Sequence, residues 1–283
     1  MKNLLFFVGI LFSLISIISC EQSDPSETGV RIEDSLVFSG FKWGIKSSEA
    51  PVGPGYNKFS NRTEDIWIDS KERLHMKISN HSSGWYSTEV ITKELVGYGT
   101  YTFTVLGDLK NIPTNVVLGL FTWDTETFQT DANSEVDIEF SYWGNDTLSS
   151  SLTYSVQPVS FGSYNAERTN HPQFDGEILN GKSTHIFTWT EDLISWESYT
   201  GGADNLGDKI ASWSFDKNNP GKVKVEGTRI SNKVVIPKPG DNTNIRINLW
   251  IGDWQGQGPE GFFPLDLQER EIIIETVAYE PLN

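Results

Sequence analysis

Residues 135–140 read Glu, Val, Asp, Ile, Glu, Phe, so that every second side chain is a carboxylic acid and the others are large and apolar. A period of two fits an extended strand and no helix, because successive side chains of a strand point to opposite faces. Val136, Ile138 and Phe140 therefore face a core, and Glu135, Asp137 and Glu139 face outward together, with same-face Cα atoms about 6 to 7 Å apart. The rest of the chain is consistent with that strand. Short β-rich runs recur at 74–78, 101–105, 116–122, 151–156, 186–189, 222–225 and 272–277, broken by Gly- and Asn-containing stretches such as 80–84 and 239–242. No long stretch repeats apolar residues at helical spacing, and there is no internal repeat, so the chain is expected to be all-β, a curved antiparallel β-sandwich or jelly roll.

A charged strand face commonly just meets water. A face kept for solubility, however, is better served by mixed signs, since three like charges at this spacing repel and push carboxyl pKa values upward. Paired carboxyl groups with separated pKa values are what glycoside hydrolysis requires: one ionised to attack or stabilise the sugar cation, one protonated to serve the leaving oxygen. Glu135 and Glu139 would lie about 13 Å apart at Cα on a straight strand. A retaining pair needs carboxyl groups about 5 to 5.5 Å apart, so a curved sheet and two inward-leaning glutamates are expected. Asp137, shorter and between them, is placed to hydrogen-bond one of them.

These residues resemble the active-site strand of glycoside hydrolase family 16, the family of lichenases and laminarinases, in the form that lacks the extra bulge residue. The resemblance extends over about residues 40–280: Trp67-Ile68-Asp69 with 73–78, Tyr86-Ser87-Thr88-Glu89-Val90 with Tyr98-Gly99-Thr100-Tyr101, 185–189 with Ile194-Ser195-Trp196, and Asn248-Leu249-Trp250 followed by Asp253-Trp254. It departs at 197–202, where the family usually has a Val-Asp-Gly turn. The resemblance implies a concanavalin A-like jelly roll over 35–283, with Glu135 as nucleophile, Asp137 as auxiliary acid and Glu139 as general acid/base. It also implies a cleft lined by Trp123 and Trp250, with Trp254 as a further sugar contact; Trp143, within four residues of the acid-bearing strand, is a candidate contact by its position. Trp67, Trp189 and Trp213, which sit in alternating strand patterns, are expected to be structural, and Gln157, Tyr154 and Glu89 are secondary candidates for the rim.

At the amino end Lys2 precedes an apolar run over 4–19 that stops at Cys20, the single cysteine of the chain. The run is short for a membrane span, which needs about 20 apolar residues. It resembles a bacterial lipoprotein signal over 1–19, with Cys20 as the lipidated residue, residues 20–34 as a polar flexible tether, and a place on the outer membrane of the cell envelope. A membrane is then a partner only through that lipid.

The 38 Asp and Glu outnumber the 22 Lys and Arg, giving a formal net charge of −16, which argues against nucleic acid and polyanions as partners and favours a neutral polysaccharide. The four histidines, His75, His81, His171 and His185, lack metal-ligand spacing, and no phosphate loop or dinucleotide site is present, so neither a catalytic metal nor a cofactor is expected. A structural calcium, known in the family, has no loop signature here.

The resulting expectation is a monomeric, surface-tethered, endo-acting hydrolase of a β-linked polysaccharide, with β-glucan as the first substrate and retention as the stereochemical outcome. A non-catalytic glycan-binding protein on the same fold and a transglycosylase are the alternatives.

Overall fold

The computed structural model describes residues 29–32, 34–159, 168–218, 234–252 and 262–282. These residues contain seventeen strands: β1 Ser35–Phe38, β2 Phe41–Ile45, β3 Ser48–Val52, β4 Asn57–Phe59, β5 Ile66–Ile68, β6 Leu74–His81, β7 Gly84–Thr92, β8 Gly99–Asp108, β9 Val116–Trp123, β10 Val136–Phe140, β11 Leu152–Val156, β12 Thr169–Asn170, β13 Asn180–Trp189, β14 Leu193–Gly202, β15 Asn205–Asp216, β16 Asn244–Ile251 and β17 Arg270–Pro281. Helical structure among them is limited to one short α-helix, α1 Phe128–Asp131, and single 3-10 turns.

β3 pairs with β4, and β4 runs parallel to β7, while the other fifteen strands form two antiparallel sheets. One runs β1-β2-β7-β16-β9-β10-β11-β12. The other runs β5-β6-β17-β8-β13-β14-β15. The hairpin β6–β7 carries the chain from the second sheet to the first. This is the jelly roll expected from the sequence, and its single core lies between the sheets.

Alternation built that core. Val136, Ile138 and Phe140 of β10 are fully buried, as are Leu118 and Leu120 of β9 and Ile245, Ile247 and Leu249 of β16. From the opposite sheet come Phe103, Val105, Phe187, Trp189, Ile194 and Trp196, also fully buried. Each such side chain contributes about 1.5 to 3 kcal/mol by leaving water. Trp189 is structural as expected, and Trp213 stacks on Trp196 with ring centroids 4.7 Å apart. Trp67 stacks on His75 at 4.5 Å, away from the acid-bearing strand. The fold also reaches further back than residue 35, because Arg31 bridges to Ser47 and the Asp34 carbonyl accepts from the Ile45 amide.

One rim candidate belongs to this core instead. Tyr154 stands opposite Ile138 in the β10–β11 register and so points inward. Its hydroxyl lies 2.6 Å from Ser198 Oγ, which lies 2.7 Å from His185 Nδ1, and His185 Nε2 lies 2.8 Å from Ser183 Oγ. Burial pushes the His185 pKa down to about 3, so its ring is neutral.

Candidate active site

The chain enters β10 through an unusual turn. Ala132, Asn133 and Ser134 all have positive φ, 49°, 61° and 53°, a run that L-residues adopt at a cost of order 1 to 3 kcal/mol each. Thr122 holds the turn from β9: its hydroxyl donates to the Ser134 carbonyl at 2.8 Å and accepts from the Val136 amide at 3.2 Å. Ser134 Oγ donates to the Lys238 carbonyl at 2.6 Å. The Glu135 backbone between these clamps is extended, with φ −101° and ψ 122°. Its carbonyl accepts from the Gln157 amide at 3.2 Å. Strain held by surrounding bonds thus delivers Glu135 in line with the strand it precedes.

Within β10 the register is unbroken on both sides. Asp137 pairs with Phe121 and Ser155, and Glu139 with Gly119 and Thr153, without a bulge, as the sequence implied. From behind, Trp196 of the other sheet donates its indole N–H to the Asp137 carbonyl at 3.0 Å, so the core fixes the backbone of the central acid. The three acids share one face, opposite Val136, Ile138 and Phe140.

Their electrostatics are set by crowding in a poorly hydrated place. Burial, and then the neighbouring Asp137 and Glu139, push the Glu135 carboxyl well above the usual range. Glu139 is likewise raised, by burial and then by Asp137. Asp137 is raised by burial to about 7, with hydrogen bonds from Gln157 and Glu135 pulling the other way; Gln157 Nε2 donates to Asp137 Oδ2 at 3.3 Å. Glu135 Oε2 is buried with no hydrogen-bond partner among the described residues. Such a row releases its protons at higher pH than ordinary carboxyl groups do and leaves one carboxyl oxygen aimed at no protein donor.

Neighbouring strands extend the face. On β16, Asn248 stands beside Gly119, Arg246 beside Phe121, and Asn244 beside Trp123. Gly119 has a steric reason: a Cβ there would come within 2.5 Å of Asn248 Oδ1. Of the four tryptophans expected at a cleft, three are described. Trp123 ends β9 half-buried on the acid-bearing side, and Trp143, at φ 52°, donates its indole N–H to Thr153 Oγ1 at 3.1 Å, beside Glu139. Trp250 lies on the same face of β16 as Asn248 and Arg246, beneath the chain at Gly55, where a Cβ would meet its ring at 2.6 Å. Trp254, Asp253 and Cys20 lie outside the described residues.

Two rim candidates are closer in than the sequence suggested. Gln157 touches Asp137, and Glu89 is buried, bound by Lys46 Nζ at 3.4 Å and Arg246 Nη1 at 3.2 Å. Arg246 itself was missed. Its signal was the alternation Asn244, Arg246, Asn248, Trp250 against Ile245, Ile247, Leu249, Ile251, the same period of two as in 135–140. Among the described residues no group of three His, Cys, Asp or Glu is arranged to hold a metal ion.

Two acids at the ends of a row, an acid between them, tryptophans and amides on the same face: such a surface can stack a sugar ring, bond its hydroxyls, and move protons at an acetal. No protein-family model matches the chain, and no curated protein matches it. Solved structures do. A β-glucanase of Bacillus licheniformis superposes with TM-score 0.56 at 19% identity, covering 89% of this chain and 100% of its own. A glycoside hydrolase family 16 endo-glucanase from Bacteroides ovatus gives 0.54 at 15% identity, covering 84% and 94%. A pseudo β-1,3-glucanase of Mycobacterium tuberculosis gives 0.53 at 15%, covering 85% and 91%. At these identities the likeness establishes the jelly-roll fold.

Proposed function

We propose that this protein is a retaining, endo-acting glycoside hydrolase of a β-linked polysaccharide, with a β-glucan as its substrate. The observation that carries the reading is the row Glu135, Asp137, Glu139, three crowded buried acids on one face of β10 and of the residue that leads into it. Glu135 attacks the anomeric carbon while Glu139 delivers a proton to the glycosidic oxygen. Water then opens the glycosyl-enzyme with Glu139 as base. The raised Glu139 suits a group that must begin protonated; Glu135 is raised too and must give up its proton before it attacks, and Asp137, bonded by Gln157, adjusts the charge between the two ends. Trp123, Trp143, Trp250 and Trp254 supply stacking surfaces. The β-glucanase and endo-glucanase among the solved neighbours support the substrate class.

The pseudo β-1,3-glucanase among the solved neighbours favours a second reading, a glycan-binding protein that does not cut. A neutral sugar is held well by aromatic rings and amides, and three crowded carboxyl groups add desolvation cost without benefit to such a binder. Reducing-end release from a panel of β-glucans by soluble protein lacking residues 1–20 decides between the readings. Hydrolysis lost in Glu135→Gln supports the enzyme; binding without hydrolysis in the unmutated chain supports the binder. We also propose export through residues 1–19 and lipid attachment at Cys20, placing the domain at the outer membrane. Palmitate labelling of the full chain, abolished by Cys20→Ser, is the expected result.

A further inference from the structure

The end of β11 sets one residue against two members of the acid row. Gln157 follows Val156, which pairs with Val136, so Gln157 stands across from Glu135. Its main-chain N–H donates to the Glu135 carbonyl at 3.2 Å, and its side-chain Nε2 donates to Asp137 Oδ2 at 3.3 Å. A glutamine amide can face a carboxyl group with its oxygen or with its nitrogen, and the surroundings choose. Here the Val159 N–H, which can only donate, meets Gln157 Oε1 at 2.7 Å. The nitrogen is therefore the end turned to Asp137, and Gln157 gives a hydrogen bond there and cannot take one. A protonated carboxyl group accepts best at its carbonyl oxygen, so a donor fixed at Oδ2 leaves Oδ1 as the oxygen that carries a proton.

Gln157 is itself held from behind. Pro158 follows it and has no N–H to continue the ladder. Arg168, 1% exposed, closes the strand end instead. Its Nη2 donates to the Gln157 carbonyl at 2.7 Å and to the Val235 carbonyl at 2.8 Å, and its Nε donates to the Val156 carbonyl at 3.1 Å. Its guanidinium lies 4.9 Å from the centre of the Phe215 ring, and no carboxylate among the described residues pairs with it. A buried guanidinium that binds three carbonyls in a fixed fork sets backbone positions instead of neutralising an acid. The stretch that contains Val235 is gripped again at the Pro237 carbonyl by Trp189 Nε1 at 3.0 Å, and at the Lys238 carbonyl by Ser134 Oγ at 2.6 Å. The backbone before Glu135 and the backbone across from it are thus tied to the same short segment.

We propose that Gln157 is a positioning residue of the acid row: locked by Arg168 and Val159, it holds Asp137 so that a proton taken up there sits on Oδ1, and it keeps the Glu135 backbone in register with that group. The titratable groups sharing this face are Glu135 and Glu139 on the same strand and Arg246 two strands away on β16. Phe121 and Ser155, registered beside Asp137 on β9 and β11, do not titrate, and His171 is bonded to Thr153, beside Glu139. Burial raises Asp137, and the bond from Gln157 pulls against it. As a statement about catalysis the inference rests on the row being the hydrolytic centre of the proposed enzyme.

The test is a carboxyl carbon NMR titration of the soluble protein lacking residues 1–20, labelled at aspartate, with Asp137→Asn to assign the resonance, beside kcat and KM on β-glucan. Gln157→Met keeps the length of the side chain and removes the donor. The Asp137 midpoint should then rise by about half a pH unit or more. The same variant should lose about tenfold in kcat with KM nearly unchanged. Gln157→Glu keeps the bond from Val159 but turns a carboxyl oxygen to Asp137, and should raise the midpoint further than Gln157→Met does. Arg168→Met, or Arg168→Lys if the methionine variant is not folded by circular dichroism, should move the midpoint in the same direction by less. A lower melting temperature with an unmoved Asp137 midpoint in both folded Gln157 variants is what a merely structural glutamine gives, and overturns the inference. An unmutated chain that cuts no glucan yet shows the Gln157-dependent midpoint removes the hydrolase reading and keeps the assignment at Asp137.

Discussion

Two groups of polar side chains lie on opposite sides of β10, a strand's thickness apart, and they are built on opposite rules. Behind the strand, Tyr154, Ser198, His185 and Ser183 form a chain in which both ring nitrogens of His185 have partners and the ring stays neutral. In front of it, Glu135, Asp137 and Glu139 crowd like charges together, and Glu135 Oε2 has no protein partner. The rear group is satisfied and serves packing. The front group is left poorly satisfied, as expected where a ligand completes the bonding. One bond ties them together, from the Trp196 indole to the Asp137 carbonyl, through which the core sets the backbone of the acid row.

The comparison breaks most sharply at Glu135. Glu135→Gln should lower kcat on β-glucan by more than about 10⁴-fold. Its melting temperature should be no lower than that of the unmutated protein, because a like charge is gone from the row. A drop of several degrees would mean that the front group serves stability after all. Glu139→Gln should cost about 10² to 10⁴-fold in kcat, again with the fold intact. On the rear side the effects reverse. Ser198→Ala leaves the Tyr154 hydroxyl and His185 Nδ1 unpartnered, which should cost about 1 to 3 kcal/mol of stability, read by denaturant unfolding, with kcat nearly unchanged. Trp196→Phe should fall between them, since it deletes the bond to the Asp137 carbonyl and opens a small cavity, lowering both stability and kcat.

The smallest effect is also the most discriminating, because the two groups respond to pH with opposite sign. Asp137 has its pKa raised from 3.8 to about 7, so its contribution to stability is complete below about pH 4 and is lost as pH rises through 7. His185 is lowered from 6.5 to about 3, so its contribution is complete above about pH 6.5 and is lost as pH falls toward 3. Thermal melts from pH 4 to 8 should show Asp137→Asn flattening the neutral-side loss and His185→Asn flattening the acid-side loss. If Asp137→Asn changes neither limb, the aspartate is ionised at ordinary pH and the crowding argument fails.

Most of the fold was legible in the sequence because strand alternation is local. Val136, Ile138 and Phe140 could be assigned to a core from six residues, and the same reading places Leu118, Leu120, Ile245, Ile247 and Leu249. Tyr154 was misplaced at the rim because a phenol suits either face; its register opposite Ile138 settles that it points inward. Glu89 and Arg246 are 157 residues apart in sequence, and each alone reads as an ordinary charged strand residue. Only the pairing of β7 with β16 sets Arg246 beside Ile91 and Asn248 beside Glu89 and brings the two charges together.

By itself, the sequence determined that acids and apolar groups of 135–140 must part to opposite faces, since a period of two leaves an extended chain no other choice, and with it the all-β architecture. Tertiary structure alone decided how those acids are charged: which cation reaches them, how far water is excluded, and which carbonyl the core grips. Those quantities depend on distances between strands far apart in the chain, and electrostatic energy follows distance and burial in space, not separation along the backbone.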